Sequence, residues 1–229
     1  MKLKSLILAV CLSVSSVFSY SYTAFPLLTG EKTLVLNPFL YFDGTGAVGN
    51  DIFLSYGLTS KMDIWSQISM FKTKEGTNVD FSTMLRYDLG KTNILAVRAS
   101  QWYVAPQYHF SIENDKAGFQ ANVAAQIAFD YPKDPAFYAV LCPLMKLFGG
   151  KMDIFAEINP GYYMMEDDVA LNYPQNLYIR PEGFGLDIVP GIGLSIGSTL
   201  VSIACPIYNI TTDATPTFGM WWYCPIASK

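Results

Sequence analysis

The chain has one histidine, His109, and Ser111 and Glu113 follow it at steps of two. On an extended strand a two-residue step returns side chains to the same face. A base, a hydroxyl and a carboxylate on one face have the composition of a nucleophile–base arrangement with an orienting acid. No further motif accompanies the three. The expectation is that the chain is not an enzyme and that His109 is a polar interior side chain.

A larger set of ionisable residues falls on the polar sides of alternating segments: Asp51, Asp63, Asp80, Arg86, Asp88, Arg98, Lys146, Asp153, Glu157 and Asp187. Arg86 and Arg98 flank a turn signal at Gly90-Lys91-Thr92, so they are neighbours across one hairpin. Adjacent like charges repel. Each arginine therefore calls for carboxylates, and Asp63, Asp80, Glu157 and Asp187 are available. Two arrangements stay open. One is an internal ion-pair network that plugs or stiffens the fold. The other is a mixed-charge lining past which a solute moves. Asp63, Asp80, Arg86, Arg98, Glu157, Asp187 and His109 are the candidate lining residues.

Metal and cofactor chemistry is not expected. Glu166-Asp167-Asp168 is a short acidic run in a long loop, whereas a hard cation collects about six to eight oxygens. Cys142, Cys205 and Cys224 each precede a proline, and no Cys-x-x-Cys pair occurs. They read as small apolar side chains on strands, with a Cys205–Cys224 disulfide between the last two strands left open.

The elements that would position these residues are strands. In 117–130, Gly118, Gln120, Asn122, Ala124, Gln126, Ala128 and Asp130 alternate with Phe119, Ala121, Val123, Ala125, Ile127 and Phe129. A period of two marks a strand whose faces meet different environments. Its length suits a strand tilted across a bilayer, which needs about 9–11 residues. The polar face then meets water and the apolar face lipid. Segments 62–70, 79–89, 152–162 and 184–196 alternate in the same way. Weaker alternation marks 33–42, 49–58, 93–103, 106–113, 136–147, 199–209 and 217–226. The sequence thus predicts about twelve strands (10–14), all antiparallel, in a closed transmembrane β-barrel.

Connections alternate between tight and long. Thr59-Ser60-Lys61, Gly90-Lys91-Thr92, Asn114-Asp115-Lys116, Phe148-Gly149-Gly150 and Gly197-Ser198 are tight. Segments 43–48, 71–78, 131–135, 165–183 and 210–216 are longer, with a short joint near Val104-Ala105 as the exception. Outer-membrane barrels pair short periplasmic turns with longer outer loops. Aromatic residues crowd the strand ends, among them Tyr87, Trp102, Tyr103, Tyr108 and Tyr162, as expected of a membrane-interface belt. Seven prolines fall inside expected strands: Pro38, Pro106, Pro143, Pro160, Pro190, Pro206 and Pro225. Proline lacks a ladder donor, so each is expected at a bulge, a strand end or a frayed position.

Composition agrees with a membrane protein. Hydrophobic residues make up 51% and charged residues only 15%, against about 25% charged in soluble domains. The net charge is −4 and no basic cluster occurs, which argues against nucleic acid as a partner. Lys2 and Lys4 precede a short apolar run from Leu6 to Phe18, with small residues at Ser19 and Ser21. This reads as a secretory signal peptide over 1–21, leaving 22–229 as one barrel domain.

The run Tyr56-Gly57-Leu58-Thr59-Ser60-Lys61-Met62-Asp63-Ile64 resembles a hairpin found in a family of Gram-negative outer-membrane barrels assigned to transport in the phenol meta-cleavage pathway. The resemblance is best over residues 28–90. It implies a signal peptide, an all-strand chain, a cell outer membrane location and passage of a small solute. It also implies outer-membrane lipid and the barrel-assembly machinery as partners. The identity of the solute stays open. The C-terminus departs from the usual aromatic ending of such barrels, although Phe218 to Tyr223 could serve as a closing strand. The expected function is a channel or transporter. The alternatives are a structural or surface-binding barrel without transport, and a lipid hydrolase using His109 and Ser111.

Overall fold

The computed structural model describes residues 28–43, 46–73, 76–130, 132–164, 183–196, 199–204, 208–209 and 218–227. The expected signal peptide, the acidic run at 166–168, most of the 165–183 loop and Cys205 lie outside them. All named elements are strands. They are β1 (Leu34–Asp43), β2 (Gly46–Thr59), β3 (Met62–Thr73), β4 (Gly76–Gly90), β5 (Asn93–Ser100), β6 (Tyr103–Glu113) and β7 (Ala117–Ala128). They continue as β8 (Ala136–Leu147), β9 (Met152–Tyr163), β10 (Gly183–Ile196), β11 (Thr199–Ala204), β12 (Tyr208–Asn209) and β13 (Phe218–Ala227). β12 is a two-residue fragment within the single strand expected over 199–209.

One antiparallel sheet holds them all, each strand from β1 to β10 pairing with the next. β13 pairs with β1, from Leu34↔Ala227 to Phe42↔Phe218. β11 pairs on one side with β10 and on the other with β13.

The two faces have inverted polarity relative to a water-soluble protein. The buried face carries Asp63, Gln67, Arg86, Gln107, His109, Asn122 and Glu157. The exposed face carries Ile52, Leu54, Phe81, Leu85, Val97, Val123 and Phe184. Soluble folds bury apolar side chains and expose charge. A sheet with the reverse arrangement is stable where its outer surface meets hydrocarbon. In β7, Asn122 is buried and Val123 exposed at 44%, while Ala121, expected on the apolar outer face, is buried at 1%.

Three expectations require correction. The loops expected at 43–48 and 71–78 are largely strand, because β1 and β2 extend to Asp43 and Gly46, and β3 and β4 to Thr73 and Gly76. The joint between β5 and β6 lies at Gln101-Trp102, not Val104-Ala105. The Ser100 hydroxyl organises it, accepting from Trp102 N at 3.0 Å and Tyr103 N at 3.3 Å. Tyr103 is also not part of an outer belt. It is buried at 1% exposure, with the Arg98 guanidinium 6.0 Å from its ring centre.

The prolines follow a rule that differs from bulge or strand-end placement. Pro38, Pro106, Pro143, Pro160 and Pro190 each keep register with one neighbouring strand, opposite Ile52, Val97, Phe119, Leu186 and Ala156. On the other side the ladder skips two residues. Asn37-Pro38 is skipped against β13, Ala105-Pro106 against β7, and both Cys142-Pro143 and Asn159-Pro160 between β8 and β9. The residues across from Val189-Pro190 on that side, 205–207, lie outside the described residues. A strand residue directs its N–H and C=O toward the same neighbour, so a missing N–H interrupts only that side. Pro225 lies at a register shift against β1, as expected, and Pro206 lies outside the described residues.

Candidate functional site: the buried polar face

Asp63 is the hub of the best-organised part of this face. It lies beside the β2–β3 turn, where the Thr59 hydroxyl accepts from Lys61 N at 3.1 Å. Its Cα partner on β4 is Arg86. Arg86 donates Nε to Asp63 Oδ1 at 2.8 Å and Nη2 to Oδ2 at 2.5 Å. Trp65 Nε1 donates to Oδ2 at 3.2 Å, and the guanidinium sits 4.5 Å from the Trp65 ring centre. A fourth donor is Thr29 N, 2.6 Å from Oδ2. A buried carboxylate needs several such donors to offset its lost hydration.

Arg98 lies two residues along and one strand across, with Met84 as its Cα partner. Its Nε and Nη2 donate to Ser82 Oγ at 3.1 and 2.9 Å. Nη2 also donates to Gln67 Oε1, and Gln67 Nε2 donates to Ser69 Oγ at 2.8 Å. Arg86 is thus placed against a carboxylate, and Arg98 against Ser82, Gln67 and the Tyr103 ring.

Across β6 to β9 the face is held together more loosely. His109 Nε2 contacts Gln107 Oε1 at 3.1 Å. Gln107 also receives Asn122 Nδ2 at 3.4 Å and donates to Tyr138 Oη at 3.2 Å. Ser111 is buried on the same side. Glu113, the third member of the sequence constellation, is held by Lys146 Nζ at 2.7 Å and Gln120 Nε2 at 2.6 Å. Glu157 is 1% exposed, and neither its carboxylate oxygens nor the amide atoms of Asn159 have a hydrogen-bond partner among the described residues. Asn37, Glu157 and Asn159 all lie at the proline-linked ladder gaps. Asp80 and Asp187 are placed by backbone register alone, opposite Ser69 and Asn159. Cys142 is a buried free thiol. No His, Cys, Asp and Glu grouping fit for a metal occurs among the described residues.

The sequence reading missed Thr29, Ser55, Gly57, Trp65, Gln67 and Ser82 as members of this network. Gly57 carried a usable signal, since glycine inside a strand marks a close backbone approach.

The fold is one antiparallel all-β sheet with a polar buried face and an apolar exposed one. No protein-family model matches the chain, and no curated protein matches it. Among solved structures it is similar to an outer membrane channel from Pseudomonas putida F1, with a TM-score of 0.53 and 10% identity over 87% of this chain and 97% of that one. A second chain, from work on the in-meso crystallization of membrane proteins, aligns over 86% of this chain and 85% of its own with a TM-score of 0.47 and 11% identity. The likeness to the channel is one of fold.

Proposed function

We propose that the chain forms a closed β-barrel of twelve long strands in the outer membrane and passes a small solute along a narrow interior path. The observation that carries this reading is the inverted polarity of the faces, with Asp63, Arg86, Arg98, His109 and Glu157 inside and an apolar exterior. The β10–β11, β11–β13 and β13–β1 ladders support closure, and the fold shared with a bacterial outer membrane channel supports the role.

A second reading is favoured by one observation. Arg86, Asp63, His109 and Glu157 are each 1% exposed or less, so the interior is filled by its own side chains, as small barrels often are. On this reading the barrel is structural or surface-binding and does not conduct.

Conductance of the refolded protein in a planar bilayer separates the two. Discrete single-channel openings are the expected result. Silence across a range of salts and candidate solutes, in protein that migrates faster unheated than boiled on a denaturing gel, overturns the channel. Release into the soluble fraction on carbonate extraction overturns the membrane barrel itself.

A further inference from the structure

Asp63 and Arg98 show how the buried face ordinarily treats charge. Asp63 accepts from Arg86, Trp65 and Thr29, and Arg98 donates to Ser82 and Gln67. Glu157 on β9 departs from this pattern. It is 1% exposed, and both carboxylate oxygens lack a hydrogen-bond partner. Asn159 lies two residues along on the same face and is 8% exposed. Neither its Oδ1 nor its Nδ2 is bonded. An ionised carboxylate only accepts, and removing one from water without donors is strongly unfavourable.

The facing strands do not supply the missing donors. The β8–β9 register, with Leu141↔Ile158 and Leu144↔Phe155, puts Cys142 across from Glu157 and Val140 across from Asn159. A thiol is a weak donor and a valine side chain has none. On β10, Val189 is opposite Glu157 and Asp187 opposite Asn159, so the register adds an acid rather than a base. Lys146, the cation further along β8, is held by Glu113 at 2.7 Å. Bulk is also low here. Positions 191 and 193, opposite Phe155 and Asp153, are glycines, and Cys142 and Val189 are small. Side-chain rotations among them can admit a molecule of a few heavy atoms.

We propose that Glu157 and Asn159 form a binding point for a small primary ammonium with an oxygen beside it, of the amino-alcohol kind. The ammonium N–H groups donate to the Glu157 carboxylate in a charge-assisted contact. Asn159 Nδ2 donates to the neighbouring oxygen, and Asn159 Oδ1 accepts from the ligand hydroxyl. One molecule thereby satisfies all four unpaired atoms of the two side chains. A bare metal cation would meet the oxygens and leave Nδ2 without an acceptor. The binding itself does not depend on the channel reading; that the bound molecule is the solute the barrel passes does rest on it.

The test titrates ethanolamine calorimetrically into refolded, heat-modifiable protein. Saturable binding is expected. Glu157→Gln keeps the shape and removes the charge, and should weaken binding at least roughly tenfold. Asn159→Ala should weaken it about fivefold. Tetramethylammonium has the charge without N–H donors and should bind the wild type at least roughly tenfold more weakly than ethanolamine. Should Glu157→Gln fail to fold, Asn159→Ala and the tetramethylammonium comparison carry the test. Absence of saturable binding, or equal binding in the wild type and Glu157→Gln, overturns the site even in protein that conducts. Equal affinity for tetramethylammonium overturns the ammonium class. Glu157-dependent binding in protein that stays silent in a planar bilayer supports the site and overturns the channel. In a conducting barrel, ethanolamine should interrupt the current of the wild type and not that of Glu157→Gln; an untouched wild-type current removes the site from the solute path.

Discussion

Arg86 on β4 grips Asp63 on the adjacent β3 with two nearly parallel hydrogen bonds, 2.8 and 2.5 Å long, while both side chains are 1% exposed or less. Removing either partner leaves a charge buried without its counterpart, which costs about 3–5 kcal/mol. Replacing both with apolar residues of similar size is commonly far milder. Arg86→Leu and Asp63→Leu should each lower the urea midpoint strongly, and the double variant should recover a large part of the loss. Additive losses in the cycle would show that the pair does not act as a unit.

Val123 faces outward and Asn122 inward. On the proposed membrane-barrel reading Val123 faces lipid, where an arginine at mid-depth costs roughly 2–4 kcal/mol. Val123→Arg should therefore cut the yield of heat-modifiable protein in refolding. Alternation alone makes Asn122→Arg the mild control. The structure does not, because Asn122 is fully buried against Gln107. Asn122→Ala is the suitable control and should refold near normally. Equal damage from Val123→Arg and Asn122→Ala would show the faces to be exchanged.

How far the sequence was legible depends on how far each feature is local. The period of two in 117–130 is a property of single strands, and it located the strands and their faces. The tight turns at 90–92, 114–116 and 148–150 were visible because glycine, asparagine and aspartate mark them. The β5–β6 joint was not, because Gln101-Trp102 carries no turn residue and depends on the Ser100 hydroxyl. Asp63 and Arg86 were within reach as a pair because they sit on the polar sides of consecutive strands. Thr29 was out of reach, since its bond to Asp63 joins residues 34 apart through a chain reversal. The one-sided effect of the prolines needs the identity of both neighbouring strands, which no single segment contains.

Arg98 has a different role from Arg86. Its donors meet Ser82 and Gln67, and hydrogen bonds to a charged group contribute about 1.5–3 kcal/mol each. Arg98→Ala should lower the unfolding free energy by at least the contribution of one such bond, read as a lower urea midpoint. In a conducting barrel it should also shift the reversal potential toward cation preference, since one interior positive charge is lost. Unchanged stability together with unchanged selectivity would remove Arg98 from both roles.

His109, Ser111 and Glu113 share a face, yet Glu113 is committed to Lys146 and Gln120. His109→Ala and Ser111→Ala should leave any phospholipase activity of the refolded protein at its background value. Activity abolished by both substitutions would establish the lipid-hydrolase alternative.

The proline-linked gaps divide the sheet into unequal halves. From β2 to β6 the ladders run without skipping a proline pair, whereas β6–β7, β8–β9 and the β1–β13 seam each lose two rungs or more. Backbone amides in the first group should exchange with deuterium last, and those beside the gaps first. The same inequality predicts an order of folding, in which the β2–β6 block zips first as a template and the more weakly stitched pairings, β1–β13 among them, form later.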